Sequence, residues 1–379
     1  MKVESIRDQI DSIDKQLLDL FLQRMSATAS LAAAKEEQHL PVWDRKREIA
    51  ILNTAEKEAP GMEFFAHRFF ANALELSKAY QTQLMHELTP LEKKIQDSCL
   101  PAEVTFPKKG MVAICGGYGS HADAAATKLI PHGDRLFLSS YESVFQAVVQ
   151  GHCDFGVIPV ETSSNGSVKT VYDLLRKYDV NVVRSINLKV NHELLANPGT
   201  KMEDITDLYS QEQAYAQCEN FVQFWDGITV HQVSNTTDAA EIVAGSKEKN
   251  KACIASHSAG KLHNLICLND DIMDTEVNYT RFFCIQKEPA VYAGADRISL
   301  ILKQEHRPGS LYDSLSVLAA HGINIIKLES VPVPGNDEAL LFYVDVVASV
   351  REKGIKEAIN YLKTTCITFK YLGNYTELQ

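Results

Sequence analysis

The chain of 379 residues is 45% hydrophobic and 23% charged, a composition typical of globular proteins with two or three domains. No apolar run approaches the ~20 residues of a membrane-spanning helix, and the net charge of −11 disfavours a nucleic-acid partner. Eight cysteines without CxxC spacing and an N-terminus without an apolar export segment lead us to expect a cytoplasmic protein with no disulfide, structural zinc or membrane contact.

Residues 1–88 are predicted to form a helical domain. They contain almost no glycine, and breaks at 39–41 (HLP) and 59–62 (APGM) divide them into a long helix, a shorter helix and a third helix. Residues 89–110 contain three prolines and a lysine-rich end, which predicts a linker.

The long helix has an apolar seam that one arginine interrupts. With Val3 as position a of a heptad repeat, the a and d positions are apolar except at Arg24. A regular seam on a helix of about 30 residues predicts pairing with a second copy of the chain. An arginine in that seam has three possible explanations. Arg24 pairs with a carboxylate of the same protein, or it is a polar residue that sets the register of helix pairing, or it binds an anionic ligand. The heptad pattern by itself favours the first two.

Further polar residues share the faces of these helices. Lys35 lies three helical turns after Arg24, on nearly the same face. The second helix carries an acid, a cation and an acid at i, i+3 and i+4, and the third carries two hydrogen-bonding residues one turn apart. Each of these residues alone is an ordinary surface residue. Together they are cations and hydrogen-bond donors beside acids, and this combination favours an anionic ligand. The set is Arg24, Lys35, Asp44, Arg47, Glu48, Ser77 and Gln81.

With Arg7 in the first helix, this pattern resembles the all-helical chorismate mutases of the type fused to prephenate dehydratase. The resemblance implies an intertwined helical dimer in which Arg24 and Arg7 from the partner chain bind the two carboxylates of chorismate. It implies that Lys35 and Gln81 donate to the ether oxygen, and that Glu48 holds the ring hydroxyl. Asp44, Arg47 and Ser77 would complete the wall. The rearrangement requires orientation and fixed electrostatic partners rather than a nucleophile.

Residues 111–290 alternate short β-like and helical runs, which predicts an α/β domain with a largely parallel sheet. In PVETSSNG, polar residues follow a buried strand, where such sheets bind ligands, although a polar turn that caps the helix near Val168 is an alternative. In NYTRFF, Thr280 and Arg281 interrupt an apolar strand; a strand-edge pair is the alternative there.

Together with GGYGSHADAAA, SQEQAYAQC and NTTDAAEIVA, these stretches resemble prephenate dehydratase. The resemblance implies two lobes like a periplasmic binding protein, with the site in the cleft, and a role for Thr280 in loss of the substrate hydroxyl. The implied substrate-binding residues are Glu161, Thr162, Ser163, Ser210, Gln217, Thr237, Arg281 and Phe282. The chain departs from the family pattern at residues 120–123, at Thr162 and at residues 211–212.

Residues 296–379 show the strand and helix order βαββαβ of a ferredoxin-like module. PGSLY and LESVP resemble the two motifs of the ACT regulatory domain, with Val331 in place of an arginine. The resemblance implies that phenylalanine binds between two such domains at Gly309, Ser310, Leu311, Glu329 and Ser330. An ordinary βα turn at Pro308-Gly309 is the alternative.

The sequence therefore predicts a bifunctional enzyme that converts chorismate to prephenate and prephenate to phenylpyruvate, with inhibition by L-phenylalanine. We expect no metal or organic cofactor, and a homodimer or tetramer. Two alternatives remain open at this point. The middle and C-terminal regions would bind and sense a ligand without turnover, or the N-terminal helices would serve only as a dimerisation coiled coil.

Overall fold

The computed structural model describes residues 3–38, 40–42, 44–84, 88–163, 166–223, 225, 227–270, 272–274, 278–304, 309–333 and 336–378. Ser164, Asn165 and Pro308, which belong to motifs named above, lie outside the described residues. The chain divides into two compact units. The first is Met1–Asp97 with Leu300–Tyr371, and the second is Ser98–Ser299 with Leu372–Gln379.

Four helices open the first unit: α1 Val3–Glu37, α2 Arg45–Glu58, α3 Glu63–Leu84 and α4 Pro90–Asp97. The gaps between the first three coincide with the predicted breaks. Asp44 caps α2, since its carboxylate accepts a hydrogen bond from the Arg47 N–H at 3.1 Å. Helix α4 lies within residues 89–110, the segment predicted as a linker.

Helix α1 leaves its apolar seam exposed in the single chain. Only Thr28 and Ala32 of this helix are buried. An exposed apolar stripe of this length is unusual on a monomer and marks an interaction surface. The exposed seam residues are Val3, Ile6, Ile10, Ile13, Leu17, Leu20 and Leu31.

The second unit has two lobes. The first lobe contains β1 Met111–Cys115, α5 His121–Leu129, β2 Asp134–Leu138, α6 Tyr141–Val149, β3 Phe155–Thr162, β4 Gly166–Ser167, α7 Lys169–Lys177 and β5 Asn181–Lys189. The second lobe contains β6 Glu193–Ala196, β7 Asp207–Ser210, α8 Glu212–Ala216, α9 Glu219–Val222, β8 Thr229–Gln232, α10 Thr236–Ser246, β9 Lys251–Ala255, α11 His257–Leu262 and β10 Ile266–Asn269. Strand β11, Tyr279–Gln286, then returns to the first sheet.

The remaining elements are β12 Arg297–Lys303, α12 Ser310–Ala320, β13 Asn324–Val333, β14 Asn336–Val347, α13 Ile355–Thr365 and β15 Thr368–Leu378. Their strands are ordered β13-β14-β12-β15. This is the predicted ferredoxin-like βαββαβ arrangement, in which the first and last strands are neighbours.

The sheets of the second unit are mixed rather than largely parallel. Strand β1 runs parallel to β2 and β3, and β7 runs parallel to β8 and β9. Strand β11 runs antiparallel to both β3 and β5, because it re-enters the first sheet from the second lobe. Alternating helices and strands do not reveal such a return. Since β11 has a neighbour on each side, the strand-edge explanation of Thr280 and Arg281 is wrong.

Two features are absent from the described residues. None of their helices is both long and apolar enough to cross a membrane. No group of three or more His, Cys, Asp or Glu side chains among them is arranged to hold a metal ion.

Candidate active sites

Arg24 lies half-buried between α1 and α3. Its Nη1 donates hydrogen bonds to the Ala73 carbonyl at 2.8 Å and to the Ser77 hydroxyl. Burial lowers the pKa of Arg24. Within the described ranges, no carboxylate lies in ion-pair contact with this guanidinium. An internal carboxylate partner, one of the two explanations that the heptad pattern favoured, therefore finds no support.

Ser77 and Gln81 lie one turn apart on α3 and are both buried. Gln81 Nε2 donates to the Ser77 carbonyl at 3.4 Å, a long and weak hydrogen bond. Among the described side chains, none forms a hydrogen bond with the buried Gln81 Oε1. A buried amide oxygen without a protein partner is costly and indicates a place for a polar ligand.

Lys35, Asp44 and Glu48 form a second group. Lys35 Nζ donates to the Val42 carbonyl at 2.6 Å. Burial lowers the pKa of Lys35, while the nearby carboxylates of Asp44 and Glu48 act in the opposite direction. Glu48 also accepts a hydrogen bond from Lys78 Nζ at 3.1 Å. Positively and negatively charged side chains therefore lie together beside the C-terminal end of α1.

Two predicted residues of the helical domain are not brought to these groups. Arg47 is exposed and lines a different groove, with Ile51 and Phe70. Arg7 is exposed, and its 17-residue separation from Arg24 on one continuous helix corresponds to about 25 Å. Arg7 cannot reach the Arg24 of its own chain.

A cavity of about 910 Å³ is lined by residues of both lobes of the second unit. Helices α5 and α10 both begin at this cavity. Ser120 caps α5 by accepting from the Asp123 N–H at 3.2 Å, and Asn235 caps α10 by accepting from the Asp238 N–H at 2.8 Å. The positive ends of two helix dipoles suit a ligand that carries carboxylates.

Thr280 lines this cavity and is paired with Thr162 of β3. Phe282, two residues along β11, lies on the same face and also lines the cavity, as side chains of a strand alternate. Gln217 and Thr237 line it from the second lobe. Five predicted residues are thus brought together. Among the side chains that the structure describes, none forms a hydrogen bond with the Thr280 hydroxyl.

Arg281 lies on the opposite face of β11, away from the cavity. Its Nε is 2.5 Å from Glu377 Oε2, and its Nη2 donates to the Tyr375 hydroxyl at 3.1 Å. The expectation that Arg281 would lie beside Thr280 in the site overlooked the alternation of strand side chains. Glu161 is paired with Arg281 in the β3–β11 ladder and does not line the cavity.

Ser163 and Ser210 have structural partners instead. Ser163 Oγ donates to Asn278 Oδ1 at 3.0 Å and accepts from the Tyr279 N–H at 3.0 Å. Ser210 is fully buried and donates to the Gln211 carbonyl at 3.1 Å. Val168, which precedes α7, provides no side-chain cap. Ser164 and Asn165 lie outside the described residues, so the helix-cap alternative for the polar loop stays open.

Two histidines of the cavity, His121 and His192, were absent from the predicted site. Their ring centroids are 5.4 Å apart, and His192 Nε2 is 3.0 Å from Gln217 Oε1. Within the described part of the chain, the buried His121 Nε2 and His192 Nδ1 form no hydrogen bond. Burial lowers the pKa of both, that of His121 to about 4, so both are neutral at pH 7. The departure at residues 120–123 pointed to His121, but no sequence signal pointed to His192.

The predicted effector residues fall into two places. Gly309, at φ +87°, precedes α12 and lines with Ser310 a cavity of about 520 Å³ in the first unit. Leu311 follows within α12. Glu329 lies on β13, 3.5 Å from Lys327, and Ser330 is paired with Phe342 of β14. Neither residue lines the cavity with Gly309.

The sequence matches two family models, chorismate mutase type II over residues 6–95 and prephenate dehydratase over residues 112–290. A bifunctional chorismate mutase/prephenate dehydratase of Stutzerimonas stutzeri is 29% identical over 376 residues, which cover 99% of this chain and 97% of that protein. Arogenate dehydratase 2 of Petunia hybrida is 30% identical over 372 residues, 92% of this chain and 94% of that protein.

Among solved structures, a prephenate dehydratase from Arthrobacter aurescens in complex with L-Phe has a TM-score of 0.64. It is 22% identical, and the match covers 70% of this chain and 89% of that one, which shows a shared fold. The chorismate mutase model matches the N-terminal helices, and the prephenate dehydratase model matches the two-lobed unit. The bifunctional relative matches this chain nearly from end to end. The chain belongs to the bifunctional chorismate mutase/prephenate dehydratase family.

Proposed function

We propose that this enzyme rearranges chorismate to prephenate in its helical domain and converts prephenate to phenylpyruvate in the two-lobed cleft. The observation that carries the first activity is the half-buried Arg24, which has no carboxylate partner in the described chain. An uncompensated guanidinium in a seam is stabilised when a carboxylate of the substrate binds.

The helical domain would act by placement. Arg24 would bind one carboxylate of chorismate, and Lys35 and Gln81 would donate to the ether oxygen, on which charge develops as the C–O bond breaks. Glu48 would hold the ring hydroxyl. Bond breaking and bond forming both occur within chorismate, so these residues fix the folded conformer and stabilise charge without forming a covalent intermediate.

The cleft would bind the carboxylates of prephenate at the starts of α5 and α10. Thr280 would donate its proton to the hydroxyl that leaves as water and would regain a proton from solvent, while carbon dioxide leaves from the ring carboxylate. The electron pair of the breaking C–C bond completes the aromatic ring. The neutral rings of His121 and His192 would accept hydrogen bonds from the substrate without adding a charge to the site.

Arg7 of the partner subunit would complete the mutase site in a dimer. The exposed seam of α1 supports this assembly, since its apolar side chains require a partner surface. Arg7 and Arg24 of one chain lie too far apart to bind one small molecule. A tetramer would require a second interface, for which the C-terminal modules are our candidate. The cytoplasmic location of the protein stays a prediction.

L-phenylalanine is the proposed effector, bound where two C-terminal modules meet. The start of α12 at Gly309 and Ser310 offers free N–H groups for its carboxylate. Because Glu329 and Ser330 do not line the same cavity within one chain, they would reach this ligand from a second module.

Supplying each substrate separately tests the two activities. Purified protein should form phenylpyruvate from prephenate, and Thr280→Ala should abolish this while chorismate turnover persists. Arg24→Ala should abolish chorismate turnover while prephenate turnover persists. Tight prephenate binding without phenylpyruvate would replace the dehydratase with a sensing module. Unchanged chorismate turnover in Arg24→Ala would reduce the helices to a dimerisation element.

A further inference from the structure

Lys78 is a buried lysine that joins two carboxylates. It lies on α3 and is 5% exposed. Its Nζ is 3.1 Å from Glu48 Oε2 on α2 and 2.8 Å from Glu75 Oε1 one turn earlier on α3. A buried ammonium requires such partners, and the two carboxylates would repel each other without it. The placement of Glu48 therefore depends on Lys78.

A residue of the C-terminal module binds this cluster from the other side. Tyr361, on α13, is 8% exposed and donates its hydroxyl to Glu75 Oε2 at 2.6 Å. Lys78 Nζ also lies 5.1 Å from the centroid of the Tyr361 ring. Burial and the neighbouring Glu75 carboxylate raise the pKa of Tyr361, so its hydroxyl keeps the proton that it donates. Hydrogen bonds thus connect Tyr361 through Glu75 and Lys78 to Glu48.

The cavity of about 520 Å³ in the first unit places this chain of contacts beside the candidate effector residues. Glu48, Lys78 and Tyr361 line it together with Gly309 and Ser310. Lys35 lies close enough to Glu48 from α1 for the carboxylate to act on its pKa. The other charged or titratable groups of the cavity are Arg45, His67, Arg68, Glu75, Asp313 and Cys366.

We propose that Lys78 is a positioning residue for Glu48 in the mutase reaction, and that Tyr361, through Glu75, makes the C-terminal module part of that positioning. This inference rests on the proposed mutase site. Glu48 must be aimed to hold the ring hydroxyl of chorismate. Lys78 fixes that direction by a charge-assisted hydrogen bond, and Tyr361 restrains Glu75 so that Lys78 is shared between the two acids in one geometry.

Steady-state chorismate turnover of the full chain tests the proposal. Lys78→Met should lower kcat by about tenfold with little change in KM, since it removes a charge-assisted hydrogen bond to Glu48 but no contact with the substrate. Lys78→Arg, which keeps a charged donor, should restore most of kcat. Tyr361→Phe should lower kcat by about threefold with little change in KM.

Tyr312→Phe is the matched control. The Tyr312 hydroxyl also joins the C-terminal module to α3, by donating to Asn72 Oδ1 at 2.9 Å, but its partner is not one of the acids bound to Lys78. This variant should leave kcat and KM for chorismate unchanged. Prephenate turnover and the urea midpoint of each variant report folding, and if Lys78→Met does not fold, Tyr361→Phe decides the question.

The positioning role and the mutase site are tested separately. If Arg24→Ala and Glu48→Gln abolish chorismate turnover while Tyr361→Phe and a folded Lys78→Met match the parent in kcat, the positioning role is wrong and the proposed function stands. If Arg24→Ala turns over chorismate normally, the proposed mutase site itself is wrong. A Tyr361→Phe/Lys78→Met double variant with a loss smaller than the product of the single losses would support one connected unit.

Discussion

Thr280 and Arg281 are adjacent in the chain but lie on opposite faces of β11. Thr280 lines the cleft, whereas Arg281 pairs with Glu377 at 2.5 Å and with the Tyr375 hydroxyl at 3.1 Å. The alternation of strand side chains gives the two residues different tasks. Thr280 is a candidate for the chemistry of the cleft, and Arg281 binds Glu377 and Tyr375 of β15.

Arg281→Gln should therefore affect stability more than turnover. Glu377 would lose its cation in a partly buried place, which should lower the free energy of unfolding by about 2 kcal/mol. The dehydratase kcat of the folded protein should stay within about twofold of the parent. Urea unfolding and prephenate turnover measure the two effects. A large fall in kcat at unchanged stability would place Arg281 in the site.

Arg24→Lys should fail to replace the arginine. Lysine keeps the charge but loses the planar set of donors that binds Ala73, Ser77 and a carboxylate together. We expect kcat/KM for chorismate to fall about a hundredfold, from lost bidentate binding and lost transition-state charge stabilisation. Exposed Arg47→Lys is the control, and a similar loss there would contradict its placement on a separate groove.

Mixing two inactive variants tests whether the mutase site is shared between subunits. In a dimer of one Arg7→Ala chain and one Arg24→Ala chain, one site has both arginines and the other has neither. Random exchange of subunits should restore about a quarter of the parent's mutase sites. Each variant alone should stay inactive. No recovery after verified subunit exchange would show that Arg7 acts within its own chain or not at all.

Gly373→Ala should destabilise the second unit severely. Gly373 has φ +150°, and a Cβ there would lie 2.1 Å from the Val182 carbonyl oxygen. Backbone strain and this clash should lower the free energy of unfolding by about 3 kcal/mol or more. Gly294→Ala, at φ +79° with nothing within 4 Å of the added Cβ, should cost only about 1 kcal/mol. Equal urea midpoints for the two variants would refute the close approach of β15 to β5.

Stability should fall as the pH is lowered through the weakly acidic range. The pKa of His121 is lowered to about 4 in the folded chain, below about 6.5 for an unfolded histidine. Between these values the unfolded state binds more protons, so stability rises with pH and is lost as the pH falls from 6.5 towards 4. His121→Phe should flatten this part of the urea midpoint curve. Exposed His152→Gln should leave its slope unchanged, and an unchanged slope in His121→Phe would show that His121 charges freely in the fold.

Much of the architecture could be predicted because it follows from local signals. Proline and glycine breaks set the ends of the first three helices, and hydrophobic periodicity gave the ferredoxin-like order of the C-terminal module. The helical site was also accessible, since Arg24, Lys35, Ser77 and Gln81 lie on helices whose period fixes which residues share a face.

The tertiary structure decided what depends on contacts between distant segments. The return of β11 between β3 and β5 placed Thr280 on the cleft and Arg281 away from it, which no local pattern shows. His192 joined His121 only through the packing of the two lobes. Sequence order alone thus determined the elements and the chemistry available, whereas the pairing of distant elements determined which side chains meet, as with Tyr361 and Glu75.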